Sequence, residues 1–136
     1  MKLNPYLNFE GNCEEAINFY ADVLGGEIKM LMRFSEAPPG EFEAEESWKD
    51  KVMHATLEFG DGNTILFSDH VHPGYSQGNN AHMSLNIGED ETAEKVYNSL
   101  AEGGIQTMPF AEVFWGGKFG MLTDKFGVHW MVSTSH

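Results

Sequence analysis

A single cysteine, Cys13, is present among 136 residues, so no intramolecular disulfide can form. No basic N-terminal segment leads into an apolar stretch with a small-residue cleavage site, and a cytoplasmic protein is the expectation. Uninterrupted apolar runs fall far short of the roughly 20 residues that cross a bilayer, and no lipidation motif is present, so no membrane partner is expected. Basic side chains are scarce as well. Only 8 Lys and Arg stand against 21 Asp and Glu, giving a formal net charge of −13. Duplex binding draws its sequence-independent affinity from clustered cations, so nucleic acid is excluded as an expected partner. Gly60-Asp61-Gly62 and Gly116-Gly117 fit neither the dinucleotide fingerprint nor the phosphate-cradling loop with its lysine, which removes nucleotide chemistry.

What is present is enough apolar material for a core. Hydrophobic residues make up 41% of the chain and aromatics 12%, so one domain is expected, burying roughly two-thirds of its extended surface. Asn12 to Leu24 reads as a helix: Cys13, Ala16, Ile17, Tyr20 and Leu24 recur at helical spacing, Asn12 takes the N-cap with Glu15 as capping-box partner, and Gly25-Gly26 ends it. A second helical pattern runs from near Glu89 to Gly103-Gly104. Its Ala93, Val96, Tyr97, Leu100 and Ala101 lie 77 positions after Ala16, Phe19, Tyr20, Val23 and Leu24, and Gly11, Gly26 and Ile28 recur as Gly88, Gly103 and Ile105. The chain therefore reads as a tandem duplication.

Four strand-like segments accompany each helix: Leu3 to Phe9, Glu27 to Phe34, Val52 to Phe59 and Asn63 to Asp69, then Ala81 to Ile87, Ile105 to Val113, Lys118 to Thr123 and Val128 to Thr134. Gly60-Asp61-Gly62-Asn63 has the chemistry of a tight hairpin turn. The expectation is an α+β chain of two tandem βαβββ modules, about 1–70 and 80–136, within one domain spanning 1–136. One detail departs from strict repetition, since Phe9 falls opposite Asn86 at the 77-residue offset. Ser35 to Asp50 breaks the pattern with Pro38-Pro39-Gly40, then Glu41, Glu43, Glu45, Glu46 and Trp48. It reads as a long loop, either a solvated insertion or a lid or dimer arm anchored by Trp48. Its carboxylates hint at a cationic ligand or partner, whereas Glu89, Asp90, Glu91 and Glu94 have a structural reason at a helix N-terminus. A shorter loop, His70 to Asn79, joins the halves.

Ala16-Ile17-Asn18-Phe19-Tyr20 ahead of Leu24-Gly25-Gly26, and Trp115-Gly116 to Asp124-x-Phe126-Gly127-x-x-Trp130, resemble the vicinal-oxygen-chelate superfamily of glyoxalase I, the bleomycin-resistance proteins and the extradiol dioxygenases. Pro5-Tyr6-Leu7-x-Phe9-x-Gly11-Asn12, His54-Ala55-x-Leu57, Phe67-Ser68-Asp69 and Phe114-Trp115-Gly116-Gly117-x-Phe119-Gly120 are similar to its PhnB-like branch, over almost the whole chain. The resemblance implies a curved mixed sheet around a concave cavity, a small-molecule ligand in that cavity and a homodimer. It leaves open whether the protein is an enzyme or a non-catalytic binder. The charge speaks against a DNA-binding role, and the missing glycine-rich βα nucleotide motif against a ubiquinone-pathway methyltransferase.

In metal-dependent relatives the first and last strands supply His, Gln or Glu to a divalent ion that acts as a Lewis acid. Carried onto this chain, the first-strand positions fall on Pro5, which cannot ligate, and His82, which can. The last-strand carboxylate falls on Met131, and the matching strand of the first module carries Leu66, Phe67, Ser68 and Asp69. His82 and Asp69 remain as candidate metal ligands. No cofactor is certain; the preferred reading is a degenerate or absent metal site, the alternative a divalent-metal-dependent lyase, isomerase or dioxygenase.

His54 reads either as a strand histidine satisfied by a backbone carbonyl or as the catalytic group, a general base or hydrogen-bond donor facing the cavity. His129 and Trp130 alternate across the last strand, so only one can line the cavity, and Trp130 is assigned to it. Trp48, Trp115, Phe119, Trp130 and Met131 are the expected ligand-binding wall. Methionines such as Met30, Met32 and Met121 read as gap-filling core or as a plastic pocket wall. Asp69 has a second reading as an acceptor of backbone N–H groups, and Asp124 is expected to cap the turn through Gly127. His70 and His72 have the spacing of a metal pair without a third ligand nearby, and His136 is terminal.

Overall fold

The computed structural model describes residues 1–38, 40, 45–69 and 75–134. The expected roles of His70, His72 and His136, and of Pro39, Glu41 and Glu43 in the acidic loop, lie outside the described residues. Two units, Met1–Tyr75 and Ser76–His136, each contain one sheet and one longer helix. The first consists of β1 (Tyr6–Phe9), α1 (Cys13–Leu24), β2 (Glu27–Arg33), β3 (Val52–Phe59) and β4 (Asn63–Asp69); the second of β5 (Met83–Asn86), α2 (Asp90–Ala101), β6 (Ile105–Glu112), β7 (Lys118–Thr123) and β8 (His129–Ser133). The sheets are four-stranded, ordered β1-β4-β3-β2 and β5-β8-β7-β6. β1 runs parallel to β4 and β5 to β8, and the other pairs are antiparallel. This is the βαβββ module built twice, the α+β architecture expected from the periodicities.

Helix α1 forms where its apolar residues make one stripe: Cys13, Ala16, Ile17 and Tyr20 are fully buried. They pack on the face of the first sheet that carries Ala55 and Leu57 of β3, and Ile65 and Phe67 of β4. Tyr20 and Phe9 both lie against Phe67, with ring centroids 6.0 and 6.1 Å away. Gly25 ends the helix at φ +64°, a left-handed conformation that costs glycine nothing. In the second unit Ala93, Tyr97 and Leu100 are buried against the face holding Leu122, Trp130 and Val132.

The helix start differs from expectation. Asn12 occupies the N-cap but makes no side-chain capping bond. The N–H of Cys13 instead donates to Asp69 Oδ1 at 3.0 Å, so an acceptor on β4 replaces the local cap. Residues 3–5 also lie outside β1, although Pro5 O still accepts the Leu66 N–H at 2.9 Å.

The two first strands and the two helices are offset by 77 residues, as read. The faces of the strands, however, are out of step by one. Leu7 and Phe9 turn toward the helix side in β1, but Met83 and Leu85 do so in β5. This accounts for the Phe9–Asn86 mismatch: strand phase shifted between the modules while helix phase did not.

Both ends of the 35–50 segment are pinned. Phe34 N–H donates to Lys51 O at 3.1 Å and Ser35 N–H to Lys49 O at 3.0 Å, which prolongs the β2–β3 pairing. The Arg33 guanidinium grips both oxygens of Glu14 at 2.9 Å and the Asp50 carbonyl at 2.8 Å, joining β2 to α1 and to the loop. No helix among the described residues is long and apolar enough to cross a membrane.

Candidate functional site

Each sheet has its helix on one face, so alternation along the strands sends every second side chain to the helix-free face. In the first unit these residues include Tyr6, His54, Thr56, Leu66, Met30 and Met32. Cross-strand pairing sets Tyr6 beside Leu66, Leu66 beside Thr56, Thr56 beside Met30, and His54 beside Met32. The Tyr6 hydroxyl lies 3.3 Å from His54 Nδ1, with ring centroids 5.8 Å apart. His54 is thus engaged by a phenol rather than by a backbone carbonyl. Tyr6 was not singled out in the sequence, although strand alternation with β4 as neighbour was the signal that could have found it.

In the second unit the helix-free face carries a row across all four strands, Ser84, Met131, Met121 and Met108. Phe119 stands beside it on β7, and Trp115, 55% exposed in the β6–β7 turn, meets Phe119 edge-on at 5.8 Å and Phe114 at 4.9 Å. His82 precedes β5, and its ring lies 5.3 Å from that of His129. Both nitrogens of His129 have partners: Nδ1 is 2.8 Å from Thr123 Oγ1 and Nε2 is 3.2 Å from Gly78 O.

Trp130 and His129 are arranged opposite to the expectation. Trp130 is fully buried on the helix side, and its indole N–H donates to Asp124 Oδ2 at 2.8 Å. A bulky apolar ring gains most from the core, so the imidazole takes the open face. Asp124 also accepts the N–H groups of Phe126 and Val128 through Oδ1, at 2.8 and 3.0 Å. It caps the turn and holds the tryptophan with the same carboxylate.

Asp69 is 2% exposed, and both its oxygens are occupied: Oδ1 accepts from Gly11 and Cys13, Oδ2 from Val52 at 2.9 Å. Burial, with Asp69 and Glu14 nearby, pushes the Cys13 thiol far above its usual range, so it is held protonated and unreactive. Trp48 is half-buried in the 3₁₀ turn Glu46–Trp48, with its ring against the Gly11 turn, where Lys51 Nζ also donates to Gly11 O at 2.9 Å. The expected wall is therefore split: Trp115, Phe119 and Met131 share one surface of the second unit, Trp130 is in the core, and Trp48 anchors a loop of the first.

Residues 2–132 match the model of the Glyoxalase/Bleomycin resistance protein/Dioxygenase superfamily. The chain belongs to that superfamily. It is 32% identical to the protein YjdN of Escherichia coli K12, over 98% of this chain and 95% of YjdN. Among solved structures it resembles PA1353 of Pseudomonas aeruginosa, with TM-score 0.85, 41% identity and coverage of 98% and 96% of the two chains. It also resembles the PhnB protein of Bacillus cereus, with TM-score 0.80, 30% identity and 98% coverage of each. Within the superfamily it is PhnB-like.

Superfamily members often use a divalent metal, and the residues at the corresponding positions here fit one poorly. Proline and methionine stand at two of the four. Judged by sheet face, Tyr6 rather than Pro5 occupies the place that His82 holds in the second module, and it is paired with His54. At a third position the Asp69 carboxylate is turned inward to three backbone donors. Among the described residues, no three His, Cys, Asp or Glu side chains gather as a metal would require.

Proposed function

We propose that this PhnB-like protein binds a small organic molecule with its helix-free sheet surface and does so without a resident metal. The observation that carries this reading is the row of Met131, Met121 and Met108, flanked by Phe119 and Trp115, on a face that the unit's own helix leaves uncovered. Polarizable, adaptable thioethers beside aromatic rings, with few polar groups among them, form a wall suited to a flat apolar ligand. The net charge of −13 favours ligands that are neutral or cationic. Tyr6 and His54 bring polar chemistry to the equivalent face of the first unit. A cytoplasmic homodimer is part of the proposal; the exposed Ile105 and Met108 on edge strand β6 support a contact between copies.

Tryptophan fluorescence tests the binding. Titration with aromatic cations and neutral aromatics should quench emission, and Trp115→Phe should remove most of the response, because Trp130 is shielded in the core and Trp48 packs against the Gly11 turn of the first unit. Absence of quenching and of any rise in melting temperature across such a panel overturns the proposal. Zn²⁺, Ni²⁺, Mn²⁺ and Fe²⁺ should leave melting unchanged. A marked rise with one of them would instead favour the metal-dependent lyase, isomerase or dioxygenase.

A further inference from the structure

We propose that Tyr6 fixes the tautomer of His54 so that the outer ring nitrogen is a hydrogen-bond donor for a carbonyl oxygen of a ligand lying on the first unit's own helix-free face; this rests on the reading above that such a face binds small organic molecules. The phenol has one proton to give and lies 3.3 Å from His54 Nδ1. With that proton directed at Nδ1, a neutral imidazole carries its own on Nε2. His54 Nε2 has no partner among the described residues.

Its neighbours leave that donor available. Ser68, the nearest hydroxyl on β4, spends its proton on the Met53 carbonyl at 2.8 Å. Met32 stands across from His54, and Leu66 across from Tyr6, so the polar pair is set in an apolar surround. The ion pairs among the described residues of this unit, Lys29–Glu27 and Arg33–Glu14, do not include it. A neutral N–H donor in a protein of charge −13 selects an uncharged oxygen over a carboxylate. The second unit sharpens the contrast. There the comparable ring pair is His82 and His129, and His129 already has Thr123 and Gly78 on its two nitrogens. His129 therefore has no nitrogen left to offer, whereas the first unit's pair leaves His54 Nε2 free among the described residues. Tyr6, 47% exposed, acts as the positioning residue and His54 as the group that touches the ligand.

The test has two arms. Imidazole ¹⁵N spectra of the neutral ring should show His54 with its proton on Nε2, and Tyr6→Phe should move population to the Nδ1–H form. In the second arm acetophenone, ethylbenzene and benzoate are titrated. Acetophenone should perturb the His54 ring signals and bind roughly five- to tenfold tighter than ethylbenzene, the worth of one neutral hydrogen bond. Benzoate should bind weakest. Tyr6→Phe and His54→Leu, each checked for wild-type melting, should erase the preference for the ketone. An Nδ1–H ring in the wild type, or equal binding of ketone and hydrocarbon, overturns the inference. Perturbation confined to the methyl groups of Met121 and Met131 overturns it while leaving the binding proposal intact, and no perturbation anywhere overturns both.

Discussion

Gly11, Cys13 and Val52 direct their N–H groups at one carboxylate, Asp69, at distances of 2.8, 3.0 and 2.9 Å. Two of those donors belong to the start of α1, which favours negative charge, so the side chain serves as a remote helix cap. Asp69→Asn keeps the shape but turns an acceptor into a donor, facing either the Val52 N–H or the pair at Gly11 and Cys13. The expected loss is about 2–3 kcal/mol of stability, read as a lower urea midpoint at unchanged slope; a shift worth under about 0.5 kcal/mol would show the anchor to be dispensable. That an aspartate ends this strand, and can collect N–H groups, was legible from sequence. Which N–H groups it collects was not, because they come from positions 58, 56 and 17 residues away. The same holds for the Tyr6–His54 pair, 48 residues apart, in which only the histidine stood out by residue type.

At the level of elements, periodicity located both helices and all eight strands, with differences confined to a few terminal residues. Alternation reveals that a strand has two faces without naming the one a helix will cover. Trp130 was assigned to the wrong face on that account, and the one-residue slip between β1 and β5 was visible only as a mismatch. Glycine within a strand is a further element-scale signal. Gly120 on β7 lies under the ring of Tyr97, where an added Cβ would come within 2.7 Å of Cε2 and 2.9 Å of the Phe110 Cα. The Tyr97 hydroxyl is held 2.8 Å from Met108 O and 3.1 Å from Met121 O, so the ring cannot easily withdraw. Gly120→Ala should cost about 1–3 kcal/mol by overpacking, measured by thermal or urea unfolding. A neutral result would mean that α2 shifts freely over the sheet.

Across the molecule, much of the acid excess lies at helix starts and in the 35–50 segment, so net charge alone locates no binding site. The superfamily was legible because its motifs are local and numerous. The proposed binding surface was not, because such surfaces are assembled from single residues on many strands. Cys13 reports on the chain as a whole. Its thiol is buried and its pKa raised, so the folded state binds a proton that the unfolded state releases above the ordinary thiol pKa of about 8.5. That contribution is fully present below about pH 8.5 and declines as pH rises beyond it. Iodoacetamide at pH 8 should therefore modify Cys13 only through opening of the first unit, with a rate that climbs in step with denaturant-induced unfolding; rapid labelling under native conditions would contradict the burial.

The Asp69 anchor also has a bearing on the order of folding events. Its hydrogen bonds close loops of 56 and 58 residues and one of 17, so two of the three can form only after β1, α1 and β4 have met. A contact of such long range is a late one, a clasp shut over an assembled hairpin and helix rather than a nucleus for them. Weakening it should leave the folding limb of a chevron almost unmoved and raise the unfolding limb, which makes Asp69 a determinant of how long the folded state lasts rather than how fast it forms.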